Sequence, residues 1–233
     1  AIEAGSIQVA LKNWQQAKQH FLRSLDIEER LSTKEIDRFE NPLMWLAGVE
    51  IELKEPDKAE AHYLRLLRMK QSTFGALNYR IIAQLWALSH LYLNQGQYEK
   101  AETYVREELK IWATKPTFLG SPLGDEATAL QNLGAVQAHQ IKVKEAIQSH
   151  LQARKIMATE QILKSNPDDL GAGTLARAIM CEERLLALYQ GVGNSNQVAH
   201  YGRTLTRLRA LVTRPPINLS EPLWHQSLLP LPK

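Results

Sequence analysis

A chain of 233 residues, 44% hydrophobic and 23% charged, has apolar content for one large domain or two small ones, and a net charge of +3 is too small to argue for nucleic acid or membrane as a partner. The single cysteine, Cys181, excludes an intrachain disulfide and a cysteine-based metal cluster, and no apolar run approaches the roughly 18 to 20 residues that span a bilayer. The chain opens AIEAGSIQVALKNW, without Met and already in a helical rhythm, so it reads as an excised domain with any targeting signal upstream and out of view.

The first amphipathic helix pair is expected over residues 1–32, with Gly5 in its first helix and Trp14, Ala17 and Phe21 in its second. STKEIDRFENP reads as a connector, and Asn41-Pro42 supplies a capping residue before a Pro at the first helical position. The second pair, 41–71, carries Ala47, the turn KEPD, Ala59 and Tyr63; KQSTFGALN follows it. The third pair, 79–113, contains LYLNQGQYEKAETYVREELKIW, where Ser89 and Tyr92 precede a break at Gly96 and Tyr98, Ala101 and Val105 follow. After TKPTFLGSPLGDE, the fourth pair, 125–164, has Gly134, a turn at Gln140-Ile141, Ala146 and His150. LKSNPDDLGAG offers another helix start at Asn166-Pro167-Asp168-Asp169. The fifth pair, 172–213, keeps the pattern more weakly with Tyr189, Gly193, Val198 and Gly202, and GVGNSN is its turn, not a phosphate loop, because it follows a helix.

The recurring alanines 17, 59, 101 and 146 stand 42, 42 and 45 residues apart, which marks an internal repeat. Each copy makes sense as an antiparallel helix pair: small residues (Gly5, Ala47, Ser89, Gly134; then the alanines) where backbones cross, large neighbours filling the gap to the next pair. A turn of two or three residues folds the second helix back on the first, and no pair buries both faces alone, so the pairs stack over residues 1–213.

The residues L-L-S-Y-G-Y-A-V at 85, 88, 89, 92, 96, 98, 101 and 105 resemble a tetratricopeptide repeat, with Leu85 where Trp is frequent and Glu108 where Ala is frequent. The repeats exceed the standard 34 residues, and DEATALQNLGAVQAHQIKVKEAIQSHLQARKI is similar to the long repeats of kinesin light chains. The resemblance implies an all-α fold, an α-solenoid of about five antiparallel helix pairs wound as a right-handed superhelix. It also implies a non-catalytic protein–protein interaction module whose first helices line a concave groove for a protein or peptide partner. The groove positions are then Met44, Trp45, Gly48, Trp86, His90, Leu93, Gln131, Asn132, Ala135 and His139. Trp45 and Trp86 suit binding hot spots or else plain packing between repeats. Gln131 and Asn132 can both donate and accept toward an extended peptide, and Asn132 matches an Asn that such repeats turn toward cargo. Family members that clamp an acidic C-terminal tail use Lys, and Met44, Gly48, Trp86 and His90 stand in those places here, so such a clamp is not expected.

No metal-binding HExxH, no GxxxxGK[ST] and no strand-borne GxGxxG is present, so neither an enzyme, a cofactor nor a metal is expected. Cys181 reads as a small buried hydrophobe, and the pairs Glu107-Glu108 and Glu182-Glu183 as solvated faces. His150 occupies the position of Phe21, Tyr63 and Val105, and is either a core histidine or a pH-sensitive contact. In the last long helix, Arg203, Arg207 and Arg214 fall near one face, as solvated cations close to a helix C-terminus or as a docking patch for an acidic partner, with nucleic acid the weaker version. Residues 214–233 form a Pro-rich tail whose Leu223, Trp224, Leu228, Leu229 and Leu231 suit either packing on the end of the array or a linear motif. A cytoplasmic location is the default that the lone cysteine and the family imply. The alternative function is the regulatory or sensor arm of a larger enzyme or transcription regulator.

Overall fold

Five tight turns set the architecture. In the computed structural model, which describes residues 1–31, 35–114, 126–164 and 172–212, Lys12, Lys54, Gly96, Ile141 and Gly193 adopt left-handed backbone with φ of 58°, 62°, 72°, 62° and 70°. At four of them the next residue's N–H reaches back five positions: Asn13 to Gln8, Glu55 to Glu50, Lys142 to Gln137 and Asn194 to Tyr189, at 2.8, 2.8, 2.9 and 3.0 Å. That bond pattern closes a helix and satisfies carbonyls its last turn leaves free. The same residues cap the following helix, so no loop intervenes.

The chain divides into two compact units, Ala1–Gln95 and Gly96–Lys233. The first holds α1 (Ile2–Ala10), α2 (Trp14–Arg30), α3 (Ile36–Glu52), α4 (Pro56–Phe74), a 3-10 turn (Tyr79–Ile81) and α5 (Ile82–Asn94). The second holds α6 (Tyr98–Ala113), α7 (Glu126–His139), α8 (Val143–Ile156), the short α9 (Thr159–Ile162), α10 (Ala172–Gly191) and α11 (Ser195–Ala210). Each helix packs on its successor: α1 to α5 consecutively in the first unit; α6 on α7, α7 on α8, α8 on α10 and α10 on α11 in the second. No strand occurs among the described residues, and the fold is an all-α stack of antiparallel helix pairs, the architecture of an α-solenoid. The expected helix start at Asn166 and the tail 214–233 lie outside the described residues.

One helix start differs from expectation. The helix begins at Ile36, so Pro42 sits inside α3 instead of opening it. Ile36, Phe39, Leu43 and Leu46 form one buried stripe that continues across Pro42, and burying the upstream part outweighs the hydrogen bond the proline cannot donate.

The small residues do what close helix packing requires, with one correction to their partners. Ala17, Ala59, Ala101 and Ala146 are fully buried. A Cβ added at Gly5 would stand 2.5 Å from the Phe21 ring, and one at Gly134 would stand 2.7 Å from His150 Nε2. Phe21 and His150 therefore pack over the glycine of their own pair, and Phe21 also meets Trp45 of the next pair.

Polar ties join successive pairs. Lys18 of α2 pairs with Glu50 of α3 at 3.1 Å and with Glu55. Tyr92 of α5 donates to Glu60 of α4 at 2.7 Å. Lys142 pairs with Glu102 of α6 at 3.0 Å. Lys18, Glu60 and Glu102 each stand six residues after a left-handed turn residue, so one register of the second helix supplies all three ties. Burial alone would raise the Glu102 carboxyl, but Lys142 and Arg106 outweigh it and hold it below the usual range.

Candidate functional site

In the first unit, Met44 and Trp45 are half-buried on α3. Trp45 stacks on Phe21 of α2 with centroids 5.5 Å apart and planes 10° apart, and Gln84 Nε2 approaches Met44 Sδ at 3.6 Å. Both therefore combine a packing role with residual surface. On α5, Trp86 is only 3% exposed and its ring lies 4.2 Å from that of His90. Its indole N–H is buried without an acceptor. Trp86 thus supports the half-buried His90 from beneath. Gly48 is half-buried and Leu93 is buried.

In the second unit, Gln131 and Asn132 are fully buried on α7, as is Ala135. Gln131 Nε2 donates to the backbone oxygen of Arg177 at 3.4 Å and lies 3.3 Å from Met157 Sδ. Arg177 Nη1 donates to Thr128 Oγ1 at 3.4 Å, and Arg184 Nη1 to the backbone oxygen of Gln131 at 3.2 Å. Thr128, Gln131, Arg177 and Arg184 thus form a polar seam between α7 and α10. The two arginines stand seven residues apart, on one face of α10. That spacing is visible in ARAIMCEERLLALY and is the signal by which the seam's cations could have been found. Burial pushes the Arg184 guanidinium down to about 10, against the smaller upward pull of Cys181 and Glu183. His139, half-buried at the end of α7, stacks on Tyr98 of α6 with centroids 5.1 Å apart.

Groups that a catalytic reading would need are placed for packing. Burial, with Arg184 adding to it, pushes His150 down to about 3, so it stays neutral across the physiological range. Burial pushes the Cys181 thiol up to about 12, and the thiol donates to the His150 backbone oxygen at 3.4 Å. Glu182 pairs with Arg154 at 2.6 Å and Glu183 with Arg209 at 2.7 Å. Glu108 and Glu182, both expected on solvated faces, are buried instead, because α6 and α10 turn them toward their packed sides. Among the described residues, no group of three or more His, Cys, Asp and Glu could hold a metal ion. No described helix is long and apolar enough to cross a membrane. Arg203 and Arg207 are exposed on α11, and Arg214 lies outside the described residues.

The tetratricopeptide repeat family matches residues 39–114, from α3 through α6. No curated protein sequence matches the chain. Among solved structures, BtubC (BKLC) from P. vanneervenii superposes with a TM-score of 0.72 at 18% identity, over 93% of this chain and 82% of that one. A kinesin-light-chain-type protein of nearly identical TPR-like repeats from Podosopora anserina superposes with a TM-score of 0.70 at 15% identity, over 92% and 95%. A Rap protein complexed with competence and sporulation factor superposes more loosely, with a TM-score of 0.53 at 16% identity over 88% and 61%. The left-handed turns, the small-residue crossings and the family match over residues 39–114 converge: that segment matches tetratricopeptide repeats, and the chain has a fold similar to that of the kinesin-light-chain-like arrays.

Proposed function

We propose that the chain is a non-catalytic interaction module that binds an extended peptide or protein segment along its first helices and so scaffolds a complex, with the cytoplasm as its compartment. The observation that carries this reading is the half-buried state of Met44, Trp45 and His90 on α3 and α5 of the first unit and, separately, of His139 on α7 of the second. Partly buried aromatic and sulfur side chains give large contact area with little further ordering. Trp86 and Gln131 then act from behind this surface, holding His90 and the α7–α10 seam in place. A Rap protein of similar fold is solved with a bound factor, which supports a partner in place of a substrate. On α11, Arg203 and Arg207, with Arg214 beyond, are the proposed secondary docking patch for an acidic partner.

A displayed library of short random peptides tests the reading. The wild-type chain should enrich a defined set of sequences, and a Met44→Ala, His90→Ala variant that keeps its helical circular dichroism should lose most of that set. Undiminished recovery by the variant, with His139→Ala also neutral, sinks the assignment of these faces.

A further inference from the structure

The second helix of each pair covers a fixed face of the first helix that follows it, and that face keeps its register through the repeats. Eight residues before the left-handed turn residues stand Ala4, Leu46, Leu88, Leu133 and Leu185, and five before them Ile7, Val49, Leu91, Val136 and Leu188. From the second pair to the fourth these side chains are buried, as is Leu185 of the fifth. Leu46 and Val49 share a core with Ala17, Phe21 and Leu25 of α2, and Leu185 shares one with Ala153 of α8. In the first pair the same face is bare: Ile7 is 58% exposed and Leu11, one turn on, 61%. Ile27 and Leu31 of α2, 44% and 57% exposed, extend the patch. They stand on the side of α2 opposite Glu29, which accepts from Arg65 of α4 at 2.7 Å.

We propose that this face of α1 and α2 is a self-association surface, on which a second copy of the chain packs about a twofold axis. The partner's copy of the same apolar patch supplies the cover that a preceding helix supplies to the other pairs. Charge favours this occupant. Elsewhere the positions four before and one after the turn carry charged ties, Glu50 and Glu55 to Lys18, and Lys142 to Glu102. In the first pair they are Gln8 and Asn13, which bond to each other at 2.9 Å, so two such faces meet without opposed like charges. Stacking of α11 from one copy on α1 of another is disfavoured. Ten and thirteen residues after the turn, the second helices place Leu22 and Leu25, Leu64 and Leu67, Leu109, and Leu151 toward the next pair, whereas α11 has exposed Arg203 and Thr206 there. The contact is therefore isologous and closes at a dimer. Along the 17 residues of α2, a face two helices wide measures on the order of 500 Å² per copy. That is the low end for a specific interface, so the dimer is weak and concentration-dependent. It is independent of the peptide-binding reading above.

Sedimentation equilibrium of the full chain, from dilute to concentrated solution, tests the assignment. The wild type should pass from monomer to dimer and no further. Ile7→Glu with Leu11→Glu should weaken the dimer by about a hundredfold or more, with helical circular dichroism unchanged. Ile27→Glu with Leu31→Glu should do the same and serves as the second variant should the first fail to fold. Leu22→Glu is the control for general stickiness, because Leu22 is also exposed but lies on the other side of α2 from Leu31; it should leave the dimer unchanged. So should Arg203→Glu with Arg207→Glu on α11, and Trp224→Ser with Leu228→Ser in the tail. A chain that stays monomeric at every concentration, or a dimer that survives both pairs of glutamates, overturns the proposal. Growth beyond the dimer, or loss of association in the α11 variant, shows end-to-end stacking and overturns the twofold contact. Loss in the tail variant makes the tail the occupant and overturns it equally.

Discussion

Replacing Glu108 with Gln should change how the protein's stability depends on pH. Glu108 is 1% exposed. Trp112 Nε1 donates to its Oε1 at 3.3 Å, while Oε2 is buried without a donor. Burial raises its pKa from 4.5 to about 8, and the Trp112 bond lowers it only in part. Because the folded value lies above the unfolded one, the fold favours the protonated form. The penalty is therefore absent below pH 4.5, grows as the unfolded chain ionises, and levels off above about pH 8. At pH 7 the gap is 7 − 4.5 = 2.5 units, which at 1.36 kcal/mol per unit amounts to about 3 kcal/mol. Gln keeps an acceptor for Trp112 and cannot ionise, so Glu108→Gln should match the wild type near pH 4.5 and exceed it by about 3 kcal/mol at pH 7. Urea titrations of both proteins at half-unit steps from pH 4.5 to 8.5 measure the difference. A stability difference that stays flat across this range would show that the carboxyl ionises as freely in the folded protein as in water, and the reasoning would fail.

Three further outcomes follow from the packing. Gly134→Ala drives a methyl to 2.7 Å from His150 Nε2, and thermal unfolding should show a loss of about 1 to 3 kcal/mol that His150→Val, the side chain of the equivalent Val105, largely reverses. Ile141→Gly should stabilise by about 1 kcal/mol, because Ile141 is β-branched at φ 62° and 85% exposed, so relief of strain comes without loss of packing; a lower urea midpoint would contradict it. Tyr92→Phe removes the donor to Glu60 and should cost about 1 kcal/mol, an effect that should shrink when measured in a Glu60→Ala background, which removes the acceptor.

The repeat was legible because its turns are chemically enforced, but not always by the expected residue. Gly96 and Gly193 announce a left-handed turn, whereas Lys12, Lys54 and Ile141 adopt the same backbone with no local signal. What located those turns was the alanine five residues later, where two helix backbones cross and nothing larger fits. Long-range packing thus left a clearer mark in the sequence than turn chemistry did. The start of α3 was misread for the complementary reason: a strong local signal, Asn41-Pro42, was overridden by a buried apolar stripe reaching back to Ile36.

The candidate site was less legible because burial depends on neighbours, not on register. Met44, Trp86 and Gln131 each stand ten residues before a left-handed turn residue, yet Met44 is half-buried while Trp86 and Gln131 are buried. The difference lies in what each meets: a Gln84 amide beside Met44, the His90 ring on Trp86, the backbone of α10 above Gln131. Trp45, Asn132 and Arg184 share the next register, nine residues before the turn. An aromatic ring can close against Phe21 there, and a neutral amide can be buried at moderate cost. A guanidinium in that register is different in kind, because burial costs it far more than hydrogen bonding to a single carbonyl returns. One register thus holds a half-buried indole, a buried amide and a buried cation, and the helix packed against each, not the register, decides what it can do.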